Sequence, residues 1–503
     1  MFEAFRPFKT SSYTLACMTR AQSKIQSIKI LTIGQGLNTI INILFLPYLA
    51  RTMSYTEYGS YGQTLLVVDL FKTLLMMGLP QLVFVFLAQK KLSEKTIISN
   101  SALSGFLLGI AGLLILSLSS PIVAQLFNNE RLRTLITIYA CSALFQLPAV
   151  NLNSVFVFRH HVRKSVIIQV LGNIVKIGLV FVSVQFYHSL EYVMISIVIS
   201  FAFQFFMSLL FLQNDIQLSE MSFKSFIGQI NQGFPLGLTG VIGAILLASD
   251  GYMVSSFLTL EDYAVFRNGA LEVPFISIIY GSIAAIILPE VSKLFQQNKL
   301  NEIVELKRLT IKNTAALIYP IMIFLMYFSK KAISFYLGEM YTESGIIFMI
   351  YTFALFIRVN DYSDVLISAK KTTIVLIAYT SALIINIALN ILFIQTFGSK
   401  GAALATIISL FVLAGIQLVY TIKILNVSFI DFIDIKSIIV VFIVSGSLLP
   451  IMDLFLTTTT HVIPIACAVS IYFLIIYISL YKLKIIDRRI VLTITPKWLS
   501  KWV

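Results

Sequence analysis

The sequence predicts an all-α polytopic membrane protein with about fourteen transmembrane helices. Composition, charge placement and the length of the apolar runs each indicate this fold class. Of the 503 residues, 58% are hydrophobic and only 12% are charged. Soluble domains carry about 25% charged residues, so this chain has too few charges to cover a water-facing surface. The net charge is +14, but the charges stand in short groups between long apolar runs, which argues against a nucleic-acid partner and for a lipid bilayer.

The predicted spans are runs of roughly 20 or more mainly apolar residues, because the hydrocarbon core is about 30 Å thick and a helix rises about 1.5 Å per residue. They cover residues 28–50, 63–88, 99–120, 132–158, 165–187, 191–212, 234–258, 264–289, 312–336, 344–368, 373–397, 401–423, 437–456 and 462–481. A transmembrane β-barrel would instead show short segments of alternating polarity, whereas these runs are apolar on every face. The sequence therefore predicts helices.

The spans group into two six-helix lobes and a final pair. We predict a lead-in over 1–24, an N-lobe over 25–213, a cytoplasmic linker over 214–233, a C-lobe over 234–423, a helix pair over 424–482 and a basic tail over 483–503. The motif YTEYGSYG after span one is similar to LEDYAVFRNGA after span seven. Because six spans return the chain to the same side, this weak repeat predicts lobes related by a pseudo-twofold axis along the membrane normal.

Most Lys and Arg residues fall in segments on one side of the predicted membrane. Examples are the pairs Lys90/Lys91, Lys370/Lys371 and Arg488/Arg489 and the run RHHVRK at 159–164. The positive-inside rule makes that side cytoplasmic, which places both termini inside. The first 24 residues lack the apolar core and cleavage site of a secretory signal peptide, and the sequence leaves open whether Met1 or Met18 is the start.

Nine charged residues fall within the predicted spans. They are Asp69, Lys72, Lys176, Asp250, Arg267, Glu272, Arg358, Asp361 and Asp364. A charge at the bilayer centre costs about 2.5–3.5 kcal/mol on insertion scales. Nine charges facing lipid would therefore cost more than the typical net stability of about 5–15 kcal/mol. We expect most of them to face a polar interior.

Spacing within the spans suggests how these charges are arranged. Asp69 and Lys72 are three residues apart and can neutralise one another on a helix. Arg358, Asp361 and Asp364 would occupy about a third of the circumference of span ten, which predicts an internal ion pair and one spare carboxylate. Asp250 has no cation near it in the sequence. It is our first candidate for a coupling site, since a buried carboxylate can bind and release a proton.

Amide side chains follow single faces of three spans. The rows are Gln35, Asn38 and Asn42 in span one, Gln169, Asn173 and Lys176 in span five, and Asn386 and Asn390 in span eleven. Such rows line a water-filled cavity or bond neighbouring helices, and the spacing alone leaves both interpretations open. For Lys176 we favour the cavity.

Motifs for catalysis or for a bound metal are absent from the sequence. There is no Walker A motif and no G-x-S-x-G motif. His160, His161, His188 and His461 lack metal-ligand spacing, and Cys17, Cys141 and Cys467 are too far apart to suggest a disulfide framework. We expect neither an enzyme nor a bound cofactor, with H⁺ or Na⁺ as a possible coupling ion.

Several segments resemble one known family. They are FLPYLARTMSYTEYGSYG (45–62), MMGLPQLVFVFLAQK (76–90), SSPIVAQLF (119–127), RHHVRK (159–164), GFPLGLTGVIGAILLASDGYMV (233–254) and LPEVSKL (288–294). On these segments the chain resembles the polysaccharide-exporter branch of the multidrug/oligosaccharidyl-lipid/polysaccharide (MOP) flippase superfamily, and within it the Wzx-type O-antigen repeat-unit translocases. The likeness covers nearly the whole chain and implies a MATE/MOP-like fold.

The resemblance also implies a function. A protein of this kind flips undecaprenyl-diphosphate-linked oligosaccharide units across the bacterial inner membrane by alternating access, beside a polysaccharide polymerase and a chain-length regulator. We expect its cargo in a chamber between the lobes. The diphosphate and sugars would meet Lys176, Arg358, Lys72, Arg267, Gln169, Asn173, Gln35, Asn38 and Asn42. The coupling carboxylates would be Asp250, Asp361, Asp364, Asp69 and Glu272.

Three alternatives stay open at this point. A MATE-type drug or cation antiporter would have twelve spans and an acidic pocket. Another lipid-linked saccharide exporter would carry capsule, teichuronic acid or lipid II units. An oligosaccharide polymerase or ligase would need a large outer loop, which the predicted topology lacks.

Overall fold

A computed structural model describes residues 12–89, 92–273, 276–458 and 462–486. Within these ranges, the regular secondary structure is helical. The helices of the first half are α1 (Ser12–Thr52), α2 (Tyr55–Met76), α3 (Leu79–Gln89), α4 (Glu94–Leu126), α5 (Arg131–Ala140), α6 (Ser142–Phe158), α7 (Val162–Val182), α8 (Leu190–Leu212) and α9 (Phe223–Phe257). The prediction of an all-α polytopic membrane protein is confirmed.

The second half begins at α10 (Leu260–Gly269). It continues with α11 (Ile276–Gln296), α12 (Leu300–Tyr327), α13 (Ser329–Leu337), α14 (Ser344–Thr352), α15 (Asp364–Ser368), α16 (Thr372–Phe397), α17 (Ser399–Leu425), α18 (Phe429–Phe432), α19 (Ile435–Ser447), α20 (Leu449–Thr458) and α21 (Val462–Lys482). Single turns of 3₁₀-helix lie at Leu218–Glu220, Glu339–Tyr341 and Phe353–Phe356, and a π-helical turn lies at Ser183–Tyr187.

Twelve helical stretches of the described residues are long and apolar enough to cross a membrane, so the chain is a multi-pass membrane protein. The predicted spans eight and ten are not among these twelve stretches, and the structure interrupts the helix within both predicted ranges. Span eight divides into α10 and α11, with non-helical backbone at 270–273. Span ten divides into α14 and α15, with no α-helix over 353–363. The count of about fourteen stays a prediction, as does the repeat.

The chain forms two compact units. The first comprises the described residues up to Leu46 together with Gln63–Val241, and the second comprises Pro47–Gly62 together with the described residues from Ile242 onward. The YTEYGSYG segment therefore belongs with the C-terminal helices, whereas the sequence placed it in the N-lobe at 25–213.

Two predicted connections are partly helical. Residues 12–24 of the lead-in begin α1, and residues 223–233 of the predicted linker begin α9. The helical start of α9 follows from its apolar periodicity: Phe226 and Ile230 recur at i, i+4. Both pack on the apolar cluster of Leu79, Leu82 and Leu147 in the first unit.

Some predicted features lie outside the described residues. They are Lys90/Lys91, His461, the pair Arg488/Arg489, residues 1–11 of the lead-in and residues 487–503 of the tail.

Close helix packing in the first unit depends on small residues. Gly105 and Gly109 stand four apart on α4 and face α6, where a Cβ at Gly105 would lie 2.5 Å from Pro148 Cα and one at Gly109 would lie 2.7 Å from the Ala143 carbonyl oxygen. Such a small-xxx-small pair lets two membrane helices approach closely. Here it holds α4 against α6.

We predict that Gly105→Ala destabilises the protein, because the added methyl group must displace backbone rather than a flexible side chain. Overpacking of this kind costs about 1–3 kcal/mol, which lowers the thermal unfolding midpoint of detergent-solubilised protein. Gly178→Ala on α7 is the matched control, since a Cβ there meets nothing within 4 Å and alanine favours the helix. An equal midpoint for the two variants would contradict this packing account.

Candidate functional site

The amide rows of spans one and five meet in the first unit. Asn38 Nδ2 donates to Gln169 Oε1 at 3.1 Å, and Asn173 Nδ2 donates to Asn38 Oδ1 at 2.8 Å. Lys176 Nζ donates to Asn42 Oδ1 at 3.0 Å. The two faces predicted from spacing therefore join α1 to α7 through a ladder of polar side chains.

The ladder is only partly buried. Asn42 is exposed, and Lys176, Asn38, Asn173 and Gln169 are half-buried, so polar atoms along this edge remain accessible. Gln35, at the start of the row, is exposed. The ladder bonds two helices and also presents a cationic, amide-rich surface, so it fits both interpretations of the pattern.

Lys72 lies in the interior of the first unit, where its side chain is 3% exposed. Its ammonium contacts Asp69 Oδ1 at 2.7 Å, Ser142 Oγ at 3.0 Å and Gln146 Oε1 at 2.6 Å. The ring of Tyr139 lies 4.6 Å from it, and the Tyr139 hydroxyl donates to Asp69. The contact with Asp69 confirms the expected ion pair. Because three oxygen atoms already bind the ammonium, Lys72 is poorly placed to bind a diphosphate.

Asp250 on α9 is a buried carboxylate in the second unit, 4% exposed. Its Oδ2 accepts hydrogen bonds from the Tyr351 hydroxyl and from Thr406 Oγ1, the latter at 3.0 Å. Its Oδ1 accepts one from the amide of Gly251 at 2.8 Å. Among the described residues no cation lies within ion-pairing distance of it. The carboxylate is thus surrounded by neutral donors, which is an environment able to take up a proton or a monovalent cation.

The amide row of span eleven extends this network. Asn386 Nδ2 donates to Thr406 Oγ1 at 3.1 Å, and the Ser249 hydroxyl donates to Asn386 Oδ1. Asn390 Nδ2 donates to Asn386 Oδ1 at 2.9 Å. The Asn390 side-chain oxygen is buried with no hydrogen-bond partner among the described residues. Sequence reasoning found Asp250 and the two asparagines, but not Tyr351 or Thr406, which carry no local signal.

The interrupted segment 353–363 is the second polar feature of this unit. Asp361 Oδ1 accepts from the Ser363 amide at 2.9 Å and from its hydroxyl at 2.7 Å. Side chains of this type compete with the helical hydrogen bonds of the backbone, which explains locally why the helix stops.

Neighbouring helices satisfy backbone carbonyls that the break leaves free. The Tyr319 hydroxyl donates to Phe356 O at 2.8 Å, the Lys307 ammonium to Asp361 O at 2.7 Å and Thr421 Oγ1 to Tyr362 O at 3.2 Å. Non-helical backbone at membrane depth is tolerated where protein buries it or where it lines a water-filled cavity.

The pairing predicted for span ten is wrong. Arg358 NH1 binds Glu272 Oε1 at 3.0 Å, and Asp364 binds Lys307 at 2.6 Å, so Arg358 pairs with neither aspartate. The prediction assumed a continuous helix, and the helical spacing does not apply across 353–363. Glu272 likewise lies in the non-helical connection before α11 and not within a helix.

Lys307 is another residue that sequence reasoning missed. It is 1% exposed, as is Asp364, and the two form a buried ion pair. The predicted span nine begins at residue 312, whereas α12 begins at Leu300, so Lys307 lies outside the predicted span. Ile303, Lys307, Ile311 and Ala315 recur every four residues, so the lysine falls in the buried row, and this periodicity could have revealed it.

A cavity of about 370 Å³ opens beside the interrupted segment. Its polar lining comprises Glu272, Tyr280, Arg358, Asn360, Asp361, Tyr362, Ser363, Tyr379 and Gln417. Asn360 is 5% exposed, and neither its amide nitrogen nor its oxygen has a hydrogen-bond partner among the described residues. Buried polar atoms without partners are costly, so this cavity is suited to a polar occupant.

Arg267 lies elsewhere in the second unit, on α10. Its guanidinium carbon is 5.8 Å from the ring centre of Tyr58 and 5.2 Å from that of Tyr61. A Cβ on Gly62 would lie 2.6 Å from Arg267 Cδ, and one on Gly59 would lie 2.7 Å from the carbonyl oxygen of Leu260. The glycines of YTEYGSYG thus let the start of α2 approach α10, and the two tyrosines hold the arginine by cation–π contacts.

The sequence is similar to a known protein family and to one curated membrane protein. The sequence matches the family described as "Polysaccharide biosynthesis protein" over residues 25–295. It is 24% identical over 255 residues to an uncharacterized membrane protein of Methanocaldococcus jannaschii, a match that covers 50% of each chain. The match therefore spans only half of that curated relative.

Solved structures of transporters share the fold. The lipid II flippase MurJ in its inward closed conformation aligns with a TM-score of 0.71 at 20% identity, over 90% of this chain and 99% of that one. An inward-facing multidrug resistance MATE transporter of the MOP superfamily aligns with a TM-score of 0.61 at 13% identity, over 80% and 98%. A MOP superfamily transporter from Pyrococcus furiosus aligns with a TM-score of 0.52 at 14% identity, over 80% and 94%.

The family match covers more than half of the chain, and the structural matches extend over most of it. The fold expected from the sequence segments is confirmed by these alignments. The chain belongs to the polysaccharide biosynthesis protein family and has the helical fold of MOP superfamily transporters.

Proposed function

We propose that this protein flips undecaprenyl-diphosphate-linked oligosaccharide units, of O-antigen or a related surface polysaccharide, across a bacterial inner membrane by alternating access. One observation carries the proposal: an interrupted membrane segment carries Arg358 and Asn360 at a cavity of about 370 Å³. The Asn360 side chain has no hydrogen-bond partner within the described ranges. Membership of the polysaccharide biosynthesis family supports a saccharide cargo, and the fold shared with a lipid II flippase supports a lipid-linked one.

A polar headgroup needs such a cavity because its hydroxyl and phosphate oxygens cannot lose their hydrogen bonds to water without compensation. An uncompensated polar group costs roughly 2–7 kcal/mol in an apolar medium. Broken membrane segments with polar lining are where secondary transporters bind their substrates. The polyprenyl tail would remain in the lipid.

Arg358 is our first candidate ligand of the diphosphate. Its ion pair with Glu272 uses NH1, and the two side chains are 32% and 61% exposed. A partly exposed ion pair is worth little, so a diphosphate can take the place of Glu272 at modest cost. Arginine is suited to that exchange, because its planar guanidinium binds phosphate oxygens in pairs.

The ladder of the first unit offers a second polar surface. Lys176 has an amide oxygen as its hydrogen-bond partner, and among the described residues no carboxylate lies within 4 Å of its ammonium. The positive charge is therefore not neutralised locally, as the charge of Lys72 is. We assign Lys176 to phosphate and the amides of Asn38, Asn173 and Gln169 to sugar hydroxyls.

Asp250 is our candidate for coupling to a H⁺ or Na⁺ gradient. Its oxygens bind neutral donors, whereas Asp364 is neutralised by Lys307 and Asp69 by Lys72. A membrane potential supplies about 2.3 kcal/mol per charge per 100 mV, which is enough to bias the conformational cycle. Cytoplasmic termini and the polymerase and chain-length regulator partners belong to the same proposal.

We predict that Arg358→Ala and Lys176→Ala each slow translocation of a lipid-linked oligosaccharide roughly 10- to 100-fold, the equivalent of one charge-assisted hydrogen bond of about 1.5–3 kcal/mol. The measurement is the rate at which a fluorescent lipid-linked saccharide becomes accessible on the far side of proteoliposomes. Lys299→Ala is the control, since its exposed ion pair with Glu302 contributes little.

Wild-type rates for both variants would overturn the assignment of the diphosphate ligands. Loss of rate in the Lys299→Ala control would show instead that the assay responds to surface charge.

We predict further that Asp250→Asn removes the response of transport to an ion gradient. The substitution keeps the size of the side chain and removes its ionisable group, so transport down a cargo gradient should persist while acceleration by an imposed H⁺ or Na⁺ gradient is lost. Rates measured with each gradient in turn identify the ion. A variant that still responds to the same gradient would exclude Asp250 as the coupling site.

A second candidate function is export of an organic cation, favoured by Glu272 and Asp361 in the cavity lining. Proteoliposomes preloaded with a fluorescent cation distinguish the two functions. Gradient-driven cation efflux, with no translocation of the lipid-linked saccharide, would favour the antiporter.

A further inference from the structure

A separate basic cavity lies at one end of the second unit, between α12 and the end of α21. Its volume is about 520 Å³, and its lining includes Lys312, Lys482 and Lys484 together with Leu309, Ile485 and Ile486. It shares no lining residue with the cavity beside Arg358. The proposed transport of a saccharide makes no use of it.

The end of α21 fixes the position of these lysines. The amides of Lys484 and Ile485 donate to Tyr481 O and Leu480 O, each at 3.0 Å, which closes the helix end. Lys484 has a φ of +58°, a left-handed conformation that favours glycine. Lys312 on α12 then donates to the Lys484 carbonyl at 3.2 Å and joins the two elements. The backbone that carries Lys482 and Lys484 is thus fixed beside Lys312.

Within the described part of the chain, the three lysines of this cavity form no salt bridge with a carboxylate. Two other lysines at the start of α12 and within it are paired: Lys299 with Glu302 at 2.7 Å and Lys307 with Asp364 at 2.6 Å. Among the described residues, no carboxylate oxygen lies within 4 Å of the three cavity lysines.

Asp434 is the acid that interacts electrostatically with Lys312, and it also interacts with Arg308. Both of its oxygens accept hydrogen bonds from Ser437. Counting only residues that the structure describes, one carboxylate beside three lysines and an arginine leaves an excess of positive charge at the cavity.

The cavity combines this charge with apolar surface at the edge of a membrane span. Lys482 is the last residue of the span Ile463–Lys482, and Ile485 beside it is buried. A phospholipid presents the matching arrangement, with an anionic phosphodiester at the level of the lysines and acyl chains beside the apolar residues. Basic pockets between membrane helices bind anionic lipid headgroups in this way.

We propose that Lys312, Lys482 and Lys484 form a binding site for the phosphodiester headgroup of an anionic phospholipid of the surrounding bilayer. Each lysine near an anionic membrane surface strengthens binding by about five-fold. Loss of three should therefore reduce the preference for an anionic lipid by ten-fold or more. The site goes beyond the proposed transport function and does not depend on it.

The test uses the full-length protein in detergent, with phosphatidylglycerol and phosphatidylcholine supplied in equal amounts and bound lipids counted by native mass spectrometry. The wild type should retain phosphatidylglycerol preferentially, and the triple variant Lys312→Gln/Lys482→Gln/Lys484→Gln should lose that preference. The matched control is Lys299→Gln/Lys330→Gln/Lys331→Gln, which removes three exposed lysines that pair with carboxylates. It should keep the preference.

Two further arms keep the proposal falsifiable. If the triple variant does not fold, Lys482→Glu replaces it, because Lys482 is exposed and charge reversal alone should weaken phosphatidylglycerol retention. Inorganic phosphate is added at millimolar concentration in a separate arm. Either of two results would overturn the assignment to a membrane lipid. The triple variant could keep the preference for phosphatidylglycerol, or inorganic phosphate alone could abolish the preference of the wild type.

Discussion

The structure depends on one constraint: hydrocarbon cannot solvate a charge or a free backbone group, so the protein must supply the partners. Lys72 and the Lys307–Asp364 pair meet this constraint completely, each surrounded by groups of its own unit. The same requirement explains why Tyr319, Lys307 and Thr421 bond the carbonyls of the broken segment 353–363. Polar groups that remain incompletely partnered are therefore candidates for binding a cargo or an ion.

Three such places carry the functional account. Asp250 is buried among neutral donors, Asn360 has no partner among the described residues, and Lys176 faces amides instead of an acid. A buried polar network is stabilising when satisfied and costly when not, so these groups are expected to find their partners in a cargo, an ion or water. Locally neutralised charges and incompletely partnered polar groups therefore occur in different parts of the same chain.

Much of the fold could be predicted from sequence because its signals are local. The length of the apolar runs and the placement of charges predicted the fold class. The spacing of Gln169, Asn173 and Lys176 placed these side chains on one helix face, and in the structure that face bonds to Asn38 and Asn42. The errors come from non-local effects. Helical spacing could not show that Asp361 caps a turn with Ser363, so the partner of Arg358 was misassigned. Likewise, Tyr351 and Thr406 reach Asp250 only through tertiary packing.

The central claim is that the cavity beside the broken segment is wet in the membrane. Labelling by a charged, membrane-impermeant methanethiosulfonate reagent tests it most directly, in a variant with Cys17, Cys141 and Cys467 replaced by serine. Ser363→Cys, which lies at the cavity, should react in right-side-out or inverted vesicles. The control Ile443→Cys lies on α19, where the native side chain is 64% exposed. It should not react, because a thiol in hydrocarbon does not form a thiolate. Equal inertness of the two positions in both kinds of vesicle would contradict the account.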